Sequence, residues 1–306
     1  MLTDCIVVSG SSNIPLATNI ARRLHVPLAQ IELSRFACSE TRVRITSDLK
    51  NKTVLLIQST SVPANDHLVE SILIADAVRR YKPKRIVGIM PWFGYAPQDK
   101  VFRIGEPLSS EVVVKILEAA GIDEFIILDI HSALVLEMFS QNVAHLSAMN
   151  LFENHWKKQK LLPSKTVVAT LDKGNTLRSR TFAQALGVPL VKFEKTRDRD
   201  TGKVTFHTLN GSMKGKHVVI FDDYTSTGQT LIDSAAYLKS HGALSYTCCV
   251  THIAVHDAIE RIENSQIDSC ITTNSIQFAL PQHIKKTIVL DTSSVIAKYI
   301  RSMKRC

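Results

Sequence analysis

Short runs rich in Val and Ile recur along this chain, with helical patterns between them. The runs at 5–8, 53–58, 85–90, 125–129, 166–170, 217–221, 246–251 and 269–273 read as strands. Amphipathic spacing predicts helices over 14–24, 65–81, 109–120, 178–186, 230–241 and 258–264, and a terminal helix with a basic end over 293–303. A strand that is apolar along its whole length is buried on both faces. With helices between such strands, the expected class is α/β, with mainly parallel sheets flanked by helices. The strand–helix rhythm runs twice, and its first round ends near Met149. The segment 150–165, NLFENHWKKQKLLPSK, is more polar and ends in a Pro-containing turn. Two domains are expected, 1–149 and 150–306, a division that suits a chain of 306 residues.

Composition narrows the functional classes. Charged residues make up 21% of the chain, too few for wholesale disorder. No apolar run approaches the roughly 20 residues that span a bilayer, and MLTDCIVVSGSSN lacks the basic start of a signal peptide. A cytoplasmic protein without membrane association is expected. Net charge is +9 and the pI is about 9.3, which suits nucleotides and sugar phosphates. The Lys and Arg residues are scattered, and no nucleic-acid-binding motif accompanies them. The six cysteines include no C-x-x-C pair, so zinc is not expected. Cys5, Cys248, Cys249 and Cys270 lie in apolar runs and read as buried thiols.

The most informative local motif is FDDYTSTGQT, from Phe221 to Thr230. It follows the buried strand HVVIF and precedes the helix LIDSAAYLKSHG. A small, hydroxyl-rich loop at a helix N-terminus offers backbone N–H groups and the positive end of the helix dipole to a phosphate. Gly228 allows a positive φ or close backbone approach. Ser226, Thr227 and Thr230 add hydroxyl donors. The loop has no Walker A lysine. Asp222 and Asp223 beside an anion site make sense if the ligand carries hydroxyls next to its phosphate, as a ribose 5-phosphate does.

FDDYTSTGQT resembles the phosphoribosyl-pyrophosphate motif of type I phosphoribosyltransferases and of ribose-phosphate pyrophosphokinases. Similarity to the second family runs nearly end to end. GSSNIPLATNIARRL, NDHLVESILIADAVRR, MPWFGYAPQDK, DIHSALVLEMF, TLDKGNTLRSRTFA, TGQTLIDSAAYLKSHGA and THIAVHDAIERIENSQIDSCITTNSI follow in the family's order. The resemblance implies two phosphoribosyltransferase-like domains. It also implies transfer of the diphosphoryl group of ATP to ribose 5-phosphate, giving phosphoribosyl pyrophosphate and AMP for nucleotide biosynthesis.

Residue roles follow by the same resemblance. Asp222, Asp223, Ser226, Thr227, Gly228, Gln229 and Thr230 bind ribose 5-phosphate, with Arg197 nearby. Lys195 and Arg197, in FEKTRDRDTG, close a mobile hairpin over the reacting phosphates. The RDRDTG variant resembles the archaeal type of the family. His131 and Asp172 associate with a magnesium ion on ATP. Phe36 and Glu40, in FACSE, reach the nucleotide of a neighbouring subunit, with Cys38 and Ser39 between them. Pro97, Gln98 and Asp99 complete the ATP site. A homo-oligomer built on dimers is implied, a hexamer included. Three positions depart from the family. Cys38-Ser39 replaces an Asp-Gly pair, Pro97 replaces an Arg, and Gly105 stands where Arg is frequent. Pro97 offers neither charge nor an N–H donor. Two alternatives therefore stay open: a phosphoribosyltransferase, and a catalytically weak paralogue that binds nucleotide or sugar phosphate and regulates a partner.

Overall fold

The computed structural model describes residues 4–158, 164–170, 174–197, 204–208 and 212–303, with backbone alone for 194–197 and 204–208. They form two compact units. The first unit holds Met1–Ser147, Ser275–Gln277 and Asp291–Cys306, and the second Ala148–Asn274 and Phe278–Leu290. The expected division kept 150–306 together. The C-terminal tail goes with the first unit, because the last helix packs on the first.

The first unit runs β1 (Cys5–Ser9), α1 (Ile14–Leu24), β2 (Ile31–Arg35), β3 (Thr41–Ile45), β4 (Thr53–Ile57), α2 (Ala64–Arg80), β5 (Arg85–Met90), α3 (Ser109–Ala119), β6 (Glu124–Leu128), α4 (Ala133–Glu137) and β7 (Asn142–Leu146). Its sheet has the order β1-β4-β5-β6-β7, with every pair parallel. Alternate residues of each strand serve opposite cores. Ile6, Val8, Val54, Leu56 and Phe125 pack with Ile74 and Val78 of α2 and Val114 and Leu117 of α3. Cys5, Val7, Leu55, Ile57 and Val87 pack with Leu16, Ile20 and Leu24 of α1. The continuous apolar runs are thus required by burial on two faces. Strands β2 and β3 form a separate antiparallel hairpin.

The second unit runs α5 (Met149–Lys158), β8 (Thr166–Thr170), α6 (Thr176–Leu186), β9 (Leu190–Arg197), β10 (Val204–Thr208), β11 (His217–Thr225), α7 (Gln229–Ser240), β12 (Ser245–Ile253), α8 (Asp257–Glu263), β13 (Ser269–Thr273) and β14 (Thr287–Leu290). Its sheet has the order β10-β9-β8-β11-β12-β13-β14, antiparallel at β9–β10 alone. One face packs Val218, Ile220 and Val250 against Leu231 and Leu238 of α7 and Ile262 of α8. On the other, Phe221 lies 5.5 Å from Phe152 and 4.6 Å from Phe182, ring to ring. The last helix, α9 (Ser293–Ser302), sets Ile296, Ala297 and Ile300 into the α1 face of the first unit.

The start of the polar segment 150–165 is helical, within α5. Phe152 and Trp156, four residues apart, are its two buried side chains. So narrow an apolar stripe is easily outweighed by the Asn, Glu, His and Lys around it. Cys5, Cys248, Cys249 and Cys270 are buried reduced thiols, as expected, and burial pushes the Cys249 thiol up to about 12. Among the described residues, no helix is long and apolar enough to cross a membrane.

Phe152 is fully buried against Phe221, so Phe152→Ala should cost about 3–5 kcal/mol of stability. Urea unfolding followed by circular dichroism checks this, and an unchanged midpoint would show that α5 contributes little.

Candidate ribose-phosphate and nucleotide site

In the second unit, β11 lies between β8 and β12, hydrogen-bonded to both. Loops at the C-terminal ends of such strands are where α/β folds gather ligands. Asp222 and Asp223 point to opposite sides of the strand. Asp223 is 5% exposed and pairs with Arg178 of α6, with Oδ2 2.9 Å from Nη1. Asp222 is half-buried, and its Oδ1 accepts the Asp223 N–H at 2.9 Å and the Asn175 side-chain amide at 3.2 Å. The same amide donates to the Phe221 carbonyl at 2.5 Å. Burial, then Asp223 and Asp222, raise the Tyr224 pKa above its ordinary value, so Tyr224 keeps its proton near neutrality.

The chain then turns over Ser226 and Thr227, both exposed, into α7. Gly228 caps that helix at φ 74° and donates its N–H to Thr225 Oγ1 at 3.2 Å. A Cβ at Gly228 would lie 3.4 Å from Ile262, an ordinary contact. It is the left-handed backbone that calls for glycine here, not lack of room. The Gln229 side chain turns away, donating to Asp233 Oδ1 at 2.6 Å and accepting from Arg261. Its backbone N–H is left as its means of meeting an anion. Thr230 is half-buried in the first turn. The segment thus combines two differently placed carboxylates, exposed hydroxyls and the N-terminal end of a helix.

Lys195 and Arg197 lie on β9, in register with Phe206 and Val204 of β10. The expected hairpin is therefore present as a strand pair. Asp172 lies outside the described residues.

In the first unit, His131 is exposed just past β6. The preceding Asp129 is 6% exposed with φ 39°, a backbone region that L residues seldom occupy. It is held by its N–H to the Leu146 carbonyl at 2.8 Å, while the Ile130 N–H reaches His145 Nε2 at 3.0 Å. Pro97, Gln98 and Asp99 follow the adjacent strand β5. Gln98 Oε1 accepts from Ser109 Oγ at 2.6 Å, and its carbonyl accepts from Ser110 Oγ at 2.9 Å. Phe36, Cys38, Ser39 and Glu40 form the exposed turn between β2 and β3. The turn is closed by Phe36 N–H to the Glu40 carbonyl at 2.9 Å, and Arg42 stands 5.8 Å from the Phe36 ring centre. Among the described residues, no three His, Cys, Asp or Glu side chains are grouped to hold a metal. Arg178 and Asn175 were not singled out from sequence, although both sit in TLDKGNTLRSRTFA; what marks them is contact with β11.

Residues 5–121 match the N-terminal domain of ribose phosphate pyrophosphokinase, and residues 137–283 match the phosphoribosyl transferase domain. The ribose-phosphate pyrophosphokinase of Thermotoga maritima is 33% identical over 98% of this chain and 95% of its own length. That of Campylobacter jejuni is 31% identical over 96% and 94%. The crystal structure of phosphoribosylpyrophosphate synthetase from Mycobacterium smegmatis matches with a TM-score of 0.90, at 27% identity over 98% of both chains. With two-domain architecture and near full-length similarity together, the chain belongs to the ribose-phosphate pyrophosphokinase family.

Gly228→Ala should cost about 1–2 kcal/mol through backbone strain, with no steric clash. Denaturant titration measures it. A loss near zero would show that the loop relaxes out of the left-handed region.

Proposed function

We propose that this protein is a ribose-phosphate diphosphokinase, passing the diphosphoryl group of ATP to the anomeric hydroxyl of ribose 5-phosphate, with AMP as the second product. The observation that carries the reading is the end of β11: paired carboxylates leading into a glycine-capped helix, in a chain similar to this family nearly from end to end.

The backbone N–H groups of 226–230 and the hydroxyls of Ser226, Thr227 and Thr230 receive the 5-phosphate. Asp222 accepts from ribose hydroxyls, and Asp223, neutralised by Arg178, holds the strand end rigid. Lys195 and Arg197 stabilise charge on the transferring group. The anomeric oxygen attacks the β-phosphorus in line, and positioning with electrostatics supplies most of the acceleration. Gln98 and Asp99 take ATP phosphate or base, beside Pro97. Phe36, which is 51% exposed, and Glu40 serve the nucleotide of a second subunit, so a homo-oligomer follows.

By the same resemblance, His131 would meet a magnesium ion carried in on ATP, and Asp172, the other candidate, lies outside the described residues. His131 and Asp172 are too few to cage an ion alone, and magnesium prefers to keep waters and phosphate oxygens. When bound, the ion neutralises phosphate charge. His131, and Asp172 by the resemblance, would hold the ion through its waters.

A coupled assay for AMP release with ribose 5-phosphate, ATP and magnesium tests the reading. Absence of ribose-dependent AMP from folded protein would leave the regulatory alternative, which Pro97 favours. Lys195→Ala should lower kcat by about 10³-fold with folding intact, and wild-type turnover in that variant would remove Lys195 from the mechanism. Pro97→Arg should tighten ATP binding, measured by calorimetry, and an unchanged Kd would show that affinity is supplied elsewhere.

A further inference from the structure

Glu70 of α2 is 8% exposed, yet it takes no part in the site described above. Its carboxylate accepts the Ser11 N–H at 2.6 Å, the Ser11 hydroxyl at 2.9 Å and the Gln58 side-chain amide at 2.8 Å. All three partners are neutral. A carboxylate can only accept, so it fixes which way Gln58 faces. The Gln58 carbonyl is thereby turned to accept the Ser12 N–H at 3.0 Å. Gln58 is fully buried, and a Cβ at Gly10 would lie 2.2 Å from its Oε1, which is why that position holds glycine.

The line of hydrogen bonds continues toward the nucleotide segment. Ser12 Oγ accepts the Ser59 N–H at 2.8 Å. Ser59 Oγ accepts the Trp92 N–H at 3.2 Å and donates to the Ser275 carbonyl at 2.9 Å. Thr60 fastens the next residues: its N–H donates to the Trp92 carbonyl at 3.1 Å, and its Oγ1 accepts the Gly94 N–H at 2.6 Å. Gly94 passes so close that a Cβ would lie 2.5 Å from the Thr60 carbonyl oxygen. Four residues beyond Gly94 stands Gln98. The Ser12, Ser59 and Trp92 N–H groups can only donate, whereas the Gln58 amide could face either way, and its sense is set by the buried Glu70 carboxylate.

We propose that Glu70 is a positioning residue for the ATP-binding segment 92–99, acting through Gln58, Ser12 and Ser59. The inference rests on the reading above that Gln98 and its neighbours take ATP. Glu70→Gln keeps the shape but offers one oxygen to three donors and turns an amide NH₂ toward one of them. The Gln58 amide then loses its fixed sense, and the Ser12 N–H loses its assured acceptor, which loosens the seat of Ser59 beneath Trp92. A merely structural role would lower stability and leave the two substrates equally affected.

The chain has two tryptophans, so Trp156→Phe leaves Trp92 as the sole emitter, 8% exposed and within the segment in question. In that background, Glu70→Gln should shift Trp92 emission to the red. It should raise the KM for ATP about tenfold, the equivalent of one charged hydrogen bond, with the KM for ribose 5-phosphate within about twofold. Ser59→Ala leaves the Glu70 cluster untouched and cuts the link to Trp92. It should give the same split, and it decides the matter should Glu70→Gln fail to fold. An unchanged ATP KM in folded variants, or both KM values rising together, overturns the proposal. Should the wild-type protein release no AMP, the diphosphokinase reading fails on its own account. Trp92 emission and ATP binding by calorimetry in the two variants then decide the role of Glu70, with unaltered values again overturning it.

Discussion

The second unit depends on β11 being paired on both edges. Its parallel ladders to β8 and β12 fix where the strand ends, and so where Asp222, Asp223 and the turn into α7 are delivered. Burial of alternate residues on two faces locks the register, because a slip of one would send Phe221 away from Phe152 and Phe182. The carboxylates inherit that rigidity. Asp223 falls on the side where Arg178 of α6 waits, and Asp222 falls where the Asn175 amide holds it without burying it. One strand thus makes two acids different: one is tied to a cation, and the other keeps part of its surface open.

Much of this was legible in the sequence because two-faced burial leaves a plain signature. The eight apolar runs all became strands, and seven helices lie within a residue or two of their expected ends. What escaped had other reasons. Strands β2 and β3, IELSR and TRVRI, alternate polar and apolar residues because they form an exposed hairpin with little core to fill. Helix α5 buries two side chains, and Asn, Glu, His and Lys make up most of the rest. The pairing of Asp223 with Arg178 is tertiary, so no spacing rule announces it. Gln229 reads as a loop donor from its position, yet its side chain finds Asp233 one helical turn on.

The departures from the family fall unevenly. Cys38-Ser39, Pro97 and Gly105 all lie in the first unit, on the exposed hairpin turn or in the loop after β5. The turn from β11 into α7 in the second unit carries none of them. On the proposed assignment of the two substrates, the alterations fall beside the nucleotide and leave the sugar-phosphate loop as it is. The segment around Pro97 is nevertheless tightly fastened at its root, by Ser59 and Thr60 on the neighbouring strand end. The local alteration therefore sits on an ordered base.

The return of α9 to the first unit has a consequence for how the protein comes into being. The face of α1 that holds Ile20 and Leu24 is closed by Ile296, Ala297 and Ile300, residues made long after it. Arg23 likewise waits for Asp291 and Ser293. During translation the first unit can form its sheet early, but it carries an uncovered apolar strip until α9 has left the ribosome. The first unit to be started is therefore the last to be finished.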